Sequence, residues 1–309
     1  MSDPVISNLP VIDLRQADTD FPGFARALGE GLSDLGFVAV VGHPLDAAFL
    51  DSLYEAAARV FSLPDEVKRR YEHVASGRQR GFTPFGVEKA VGQDVSDLKE
   101  FWQLGRDLPA DHPLALSEKV PPNRFPEEVV EFGERFRQYF ANCEQVALTL
   151  LRGIGHYLGL PAGFFDALVK DGNTVARVLH YPDVPSGRIP GAVRAAAHED
   201  INLITLLPAS TKPGLELLTR DGRWTPTVVP PNVLVADTGD MMQYLTAGRM
   251  PSTTHRVVNP DVSDGGRYSL PFFVHPHPDG LLTPLDPAFG PPVRAEDMLM
   301  ERLRAIGVA

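Results

Sequence analysis

"AAAHEDINLITLL", residues 195–207, is the stretch on which the reading of this chain turns. Most of it is small or apolar, with β-branched residues at positions 201, 204 and 205, the texture of a buried strand. Yet His198, Glu199 and Asp200 stand side by side near its start. Successive side chains on a strand point to opposite faces, so His198 and Asp200 share one face and Glu199 takes the other. A helix would turn residues two apart to nearly opposite sides, and one ion could not reach both. Asn202 continues the His198 and Asp200 face, where it would contact a pocket or support its neighbours by a hydrogen bond.

The rest of the chain has to supply the other ligands. At 309 residues it is long enough for a large core, and 43% hydrophobic with 22% charged residues is the make-up of a globular protein. The 29 Lys+Arg against 40 Asp+Glu leave a net charge of −11, which disfavours nucleic acid as a partner. The single cysteine, Cys143, excludes an intrachain disulfide. No stretch has the roughly 20 apolar residues of a membrane span, and the start lacks the basic and apolar regions of a signal peptide. A cytoplasmic location is therefore the expectation.

The first half alternates strands and helices. "LPVIDL" (residues 9–14) and "FVAVVGH" (37–43) read as strands. Residues 20–36 place Phe24, Leu28, Leu32 and Leu35 at helical spacing before Gly36, residues 45–62 read as a second helix, and Pro64 opens a third. Over residues 126–158 the apolar positions 129, 132, 136, 139, 143, 146, 150 and 154 recur at steps of three and four, the mark of one long amphipathic helix.

After Gly172 short β-type runs follow one another, among them "TVARVLHYP", "GLELLT", "NVLVADTGD", "HRVVN" and "RYSLPFFVH". Such spacing predicts a double-sheet jelly roll or a barrel. The expected organisation is mainly β with flanking helices. A largely helical N-terminal region (1–172), a jelly-roll core (173–285) and a C-terminal helix (286–309) form one continuous domain.

Nine histidines are available, most of them in loops or polar stretches. His255 differs because it begins an apolar β-run downstream, far enough for the chain to return to the first strand. Two histidines and one carboxylate make the facial set typical of non-haem Fe(II). Farther on, Arg267 and Ser269 sit two apart on a predicted strand, a fork and a hydroxyl suited to holding a carboxylate. No nucleophile elbow appears, and "GIGHYLG" misses the dinucleotide fingerprint.

Taken with "RGFTPFGVE", "DLKEFWQLG", "HYP", "HED", "VLVADTGDMM" and "RYSLPFF", the sequence resembles the iron and 2-oxoglutarate-dependent dioxygenases related to isopenicillin N synthase and ethylene-forming oxidase. The resemblance covers nearly the whole chain and implies a double-stranded β-helix (jelly roll). It also implies Fe(II), held by His198, Asp200 and His255, and 2-oxoglutarate as co-substrate with O2. By the same resemblance Arg267 and Ser269 would bind the distal carboxylate of 2-oxoglutarate, Tyr181 would add a hydroxyl, and Phe273 would contact the organic substrate. Where many plant members have asparagine two residues before that tyrosine, this chain has Leu179. The implied reaction is hydroxylation of a small molecule coupled to decarboxylation of 2-oxoglutarate to succinate. Two alternatives stand beside it: an oxidase of the same family that needs no 2-oxoglutarate, and a catalytically silent jelly roll that binds a metal or a carboxylate.

Overall fold

The computed structural model describes residues 9–88, 95–183, 193–263 and 265–305. β1 (Val11–Asp13) leads through the single turn α1 (Gln16–Thr19) into α2 (Phe21–Leu35). Asp20 accepts the Gly23 N–H at 3.0 Å, and Pro22 sits in the first turn, where its missing donor costs nothing. Gly36 ends the helix at φ 77°, a left-handed position open to glycine. β2 (Phe37–Val41) follows, then α3 (Ala47–Phe61), capped by Asp46, and α4 (Asp65–Arg69), opened by Pro64.

The strands β3 (Gly81–Thr83) and β4 (Glu100–Gly105) and the turn α5 (Pro113–Leu116) precede the long helix α6 (Val130–Tyr157). The helix expected from residue 126 starts at 130, because a 3-10 turn at Glu127–Val129 intervenes after Pro126. Its 28 residues run about 42 Å, and the stripe from Phe132 through Tyr139 and Val146 to Ile154 is fully buried. Cys143 lies on that stripe, and burial pushes its thiol pKa up, which leaves it inert. α7 (Phe164–Val169) ends this half.

The β-rich half opens with β5 (Val175–Tyr181), β6 (Ala195–His198), β7 (Ile204–Pro208), β8 (Leu215–Leu218) and β9 (Trp224–Pro226). β10 (Leu234–Thr238), α8 (Asp240–Leu245), β11 (His255–Val257), β12 (Arg267–Ser269) and β13 (Phe272–Val274) come next. The small hairpin of β14 (Leu281–Leu282) and β15 (Val293–Arg294) then meets α9 (Ala295–Ala305). Of the C-terminal helix expected over residues 286–309, the helical part begins at 295, after β15, and residues 306–309 lie outside the described residues.

One sheet runs β1-β2-β10-β7-β13-β5-β4-β3, with β12 also on β5; a second runs β6-β11-β8-β9. The set β10-β7-β13/β12-β5 packs against the second sheet as a double-stranded β-helix, the jelly roll expected. The N-terminal strands extend the larger sheet at both of its edges.

Residues 195–207 depart from the expected single strand. They form two strands in different sheets, β6 and β7, and residues 199–203 cross between them. The crossing backbone is satisfied by the segment after β10 instead of by a ladder. Asp240 N donates to Asp200 O at 2.7 Å, Met241 N to Asn202 O at 3.1 Å and Gly239 N to Leu203 O at 3.0 Å. "RYSLPFFVH" likewise splits into β12 and β13 around Pro271, which has no N–H to offer a ladder.

Period-two alternation explains the core. On β5, β7, β10 and β13 the residues Ala176, Val178, Leu206, Leu234, Ala236 and Phe272 face α2, α3 and α6 in one large cluster. Burying side chains such as Phe272 there contributes roughly 1.5–3 kcal/mol each. The opposite faces point into the roll, where two small clusters flank a polar centre: Phe37, Val235 and Leu217 at one end, Phe101, Leu179 and Val257 at the other.

Candidate functional site

β6 and β11 are antiparallel neighbours, and their register sets His198 opposite His255. Their rings lie 4.4 Å apart, and Asp200, just past the end of β6, brings Oδ1 to 3.8 Å from both Nε2 atoms. That is too far for a hydrogen bond. The three ligand-type atoms lie within 4.8 Å of one another, the only such group of histidine, cysteine or acidic side chains among the described residues.

Each imidazole is turned by its own backbone. His198 Nδ1 lies 2.7 Å from Ala196 O, and His255 Nδ1 lies 3.2 Å from Thr253 O. A carbonyl can only accept, so Nδ1 carries the proton and the Nε2 lone pair faces Asp200. Burial and the adjacent His255 pull the His198 pKa down to about 4, against the opposing pull of Asp200. Two imidazoles with Nε2 turned inward and a carboxylate, with no internal hydrogen bond, fit a divalent non-haem iron.

The corner behind the triad is held tightly. Thr205 donates its hydroxyl to Asp200 Oδ2, and Asn202 Nδ2 donates to Thr205 Oγ1 at 2.9 Å and to Ile204 O at 3.1 Å. Asn202 is fully buried and, of the two places expected for it, takes the second instead of the substrate wall: its Nδ2 supports the corner that carries Asp200. Glu199 is not directed to open solvent either. It accepts the Thr254 hydroxyl and borders the cavity.

Gly239 packs against the same corner. A Cβ there would stand 2.4 Å from Asn202 O and 2.7 Å from Asp200 O. Gly239→Ala is therefore expected to weaken Fe(II) binding by roughly 10–100-fold, the range for disturbing an outer support of a ligand. Competition against a chromophoric chelator measures it, and unchanged affinity would show that the corner tolerates displacement.

The cavity extends from the triad in two directions along β5 and along the β12–β13 run. At one end lie Arg267, Ser269 and Tyr181, all buried. Arg267 Nε donates to Lys212 O at 3.0 Å, while Nη1 is buried with no hydrogen-bond partner among the described residues. A buried guanidinium left this way fits an incoming carboxylate. Leu179, the departure noted above, lies between this end and Arg177 on the inward face of β5.

The other end holds Phe273 and a group that the sequence reading did not single out. The Arg177 guanidinium lies 4.4 Å from the Phe101 ring centre and 5.5 Å from that of Phe273, and it binds Glu88 at 3.0 Å and Gln103 at 2.6 Å. Lys99 joins Glu88 at 2.7 Å to Asp97 at 2.8 Å. Burial alone would raise the Glu88 pKa, but Arg177 and Lys99 outweigh it and bring it to about 2. His275 lies close by, pulled down to about 4 by burial and hence neutral. Alternation carried the signal: in "TVARVLHYP" Arg177 shares the face of Tyr181, and in "RYSLPFFVH" His275 shares that of Arg267 and Phe273.

Comparison with known proteins agrees with this geometry. Residues 9–128 match the family described as non-haem dioxygenase in morphine synthesis N-terminal, and residues 173–276 match the 2OG-Fe(II) oxygenase superfamily. The 2-oxoglutarate-dependent dioxygenase citB of Monascus ruber is 33% identical over 267 residues, covering 81% of this chain and 78% of its own. A homoarginine-6-hydroxylase of Arabidopsis thaliana is 28% identical, over 90% and 88%. Among solved structures, a 2OG-Fe(II) oxygenase family protein from Caulobacter crescentus superposes with a TM-score of 0.86 at 39% identity, over 97% of this chain and all of its own. A full-length Neurospora crassa protein, solved in complex with alpha-KG and thymine, superposes with a TM-score of 0.83 at 26% identity, over 96% of each chain. The chain belongs to the 2OG-Fe(II) oxygenase superfamily, the non-haem iron, 2-oxoglutarate-dependent dioxygenases.

Proposed function

We propose that the protein hydroxylates a small organic molecule, with His198, Asp200 and His255 holding Fe(II) and Arg267, Ser269 and Tyr181 holding 2-oxoglutarate. The observation that carries this reading is the buried Nη1 of Arg267, without a partner among the described residues, on a side chain that lines the same cavity as the triad. Bound Fe(II) supplies the O2-dependent oxidation of a C–H bond, coupled to decarboxylation of 2-oxoglutarate to succinate and CO2.

The protein's own contribution is orientation. The Ala196 and Thr253 carbonyls turn the two Nε2 lone pairs inward, and Thr205, backed by Asn202, fixes the Asp200 carboxylate. Arg267 would hold the far carboxylate of 2-oxoglutarate, with the Ser269 and Tyr181 hydroxyls beside it. Phe273 offers the substrate an aromatic face and Arg177 a fixed donor, while the apolar walls exclude water from the reacting carbon.

The thymine bound by the Neurospora relative and the homoarginine of the Arabidopsis hydroxylase are both small molecules, and we assign this chain a substrate of that size class. The net charge of −11 argues against a nucleic acid partner. Among the described residues no helix is long and apolar enough to cross a membrane.

The test is an anaerobic titration of Fe(II)-loaded protein with 2-oxoglutarate, followed by exposure to O2. The expected result is a visible absorption band from the 2-oxo acid on the iron, then succinate formed in proportion to 2-oxoglutarate consumed. Oxygen uptake without succinate would point to an oxidase independent of 2-oxoglutarate. Iron uptake with no oxygen consumption would point to a silent binding protein.

A further inference from the structure

Arg267 is 1% exposed and carries one of the longest flexible side chains, so something must set the direction of its fork. The Tyr181 ring, 5.0 Å from the guanidinium carbon, gives it one face to lie on, and the hydrogen bond that fixes Nε comes from a surface loop. Arg267 Nε donates to the Lys212 carbonyl at 3.0 Å, and that carbonyl also accepts the Ser210 hydroxyl at 2.8 Å.

The loop is clipped to the strand that carries Arg267. β12 pairs with β5 along one edge, through Arg267 opposite Tyr181 and Ser269 opposite Leu179. At the other edge Tyr268 N donates to Thr211 Oγ1 at 2.8 Å, and Thr211 N donates to Tyr268 O at 3.1 Å. A single threonine thus stands where a neighbouring strand would be. The Tyr268 ring is itself fixed, stacked 4.8 Å from His180 at an interplanar angle of 15°. At the start of the loop, the Tyr54 hydroxyl of α3 donates to Ala209 O at 2.8 Å.

We infer that Thr211 is a positioning residue for co-substrate selection. By clipping residues 209–212 to β12 it holds the Lys212 carbonyl against Arg267 Nε, which sets the guanidinium at the distance of a five-carbon 2-oxo dicarboxylate. This rests on the reading of Arg267 given above. With Nε occupied, the fork cannot swing to follow a shorter or longer acid, so chain length is measured from the metal to a fixed point.

Thr211→Val tests it. Thr211 is exposed, and valine keeps the β-branch and the backbone N–H while deleting the acceptor for Tyr268 N–H. The readout is the dissociation constant from the visible band of the anaerobic Fe(II) protein, titrated with 2-oxoglutarate, with 2-oxoadipate and with 2-oxobutyrate, which lacks the distal carboxylate. The expected result is a roughly 3- to 10-fold weaker 2-oxoglutarate complex, a smaller preference over 2-oxoadipate, unchanged 2-oxobutyrate affinity, and restoration by Thr211→Ser. Equal weakening of all three acids would show a general loosening of the metal site and overturn the inference. A wild-type band with no change in Thr211→Val would overturn it alone, whereas no wild-type band with 2-oxoglutarate would remove the reading beneath it as well.

Discussion

Asp200→Ala is expected to abolish stoichiometric Fe(II) binding, and turnover with it, while Glu199→Ala keeps both. The two acids are adjacent in the chain but do different work. Asp200 Oδ1 lies 3.8 Å from both Nε2 atoms and supplies the only negative charge in the ligand group. Without it two imidazoles face each other across 4.4 Å, and the Thr205 hydroxyl loses its acceptor as well. The loss in iron affinity should exceed the roughly 100-fold that removal of an outer support can cost. Glu199 instead accepts the Thr254 hydroxyl, beside His255 but outside the group, so its truncation should change affinity by a few-fold at most. Equilibrium dialysis against Fe(II) separates the cases, and comparable losses in both variants would contradict the assignment.

Arg267→Ala should leave iron binding intact and weaken 2-oxoglutarate. Hydrogen bonds to a charged group contribute about 1.5–3 kcal/mol, so the dissociation constant is expected to rise roughly 10- to 150-fold. Arg267→Lys should recover only part of this, because an ammonium is a point charge and the site is shaped for a fork braced at Nε by Lys212 O. The effect should appear in the half-saturating 2-oxoglutarate concentration more than in the rate at saturation. An alanine variant that binds 2-oxoglutarate as tightly as wild type would show that the carboxylate lies elsewhere in the cavity.

Much of this could be read from residue spacing, and the failures share one cause. Period-two alternation placed Arg267 with Ser269, and the apolar β-run after His255 marked it as the returning ligand. The same rule misread residues 195–207, because alternation holds only while a strand continues, and here the chain changes sheets at residues 199–203. His198 and Asp200 still converge, but through hydrogen bonds from residues 239–241 that no local pattern announces. Glu88, Lys99 and Arg177 escaped notice because each looks like an ordinary surface charge until distant strands bring them together. Thr211, in a polar loop, gave no sign of its contact with β12.

The most direct test is an anaerobic crystal structure of the protein with a divalent metal and 2-oxoglutarate. The expected result is one ion bonded to His198 Nε2, Asp200 and His255 Nε2, with the distal carboxylate of 2-oxoglutarate on Arg267 and Ser269. An ion held by other side chains, or a 2-oxoglutarate carboxylate that leaves Arg267 Nη1 without a partner, would contradict it.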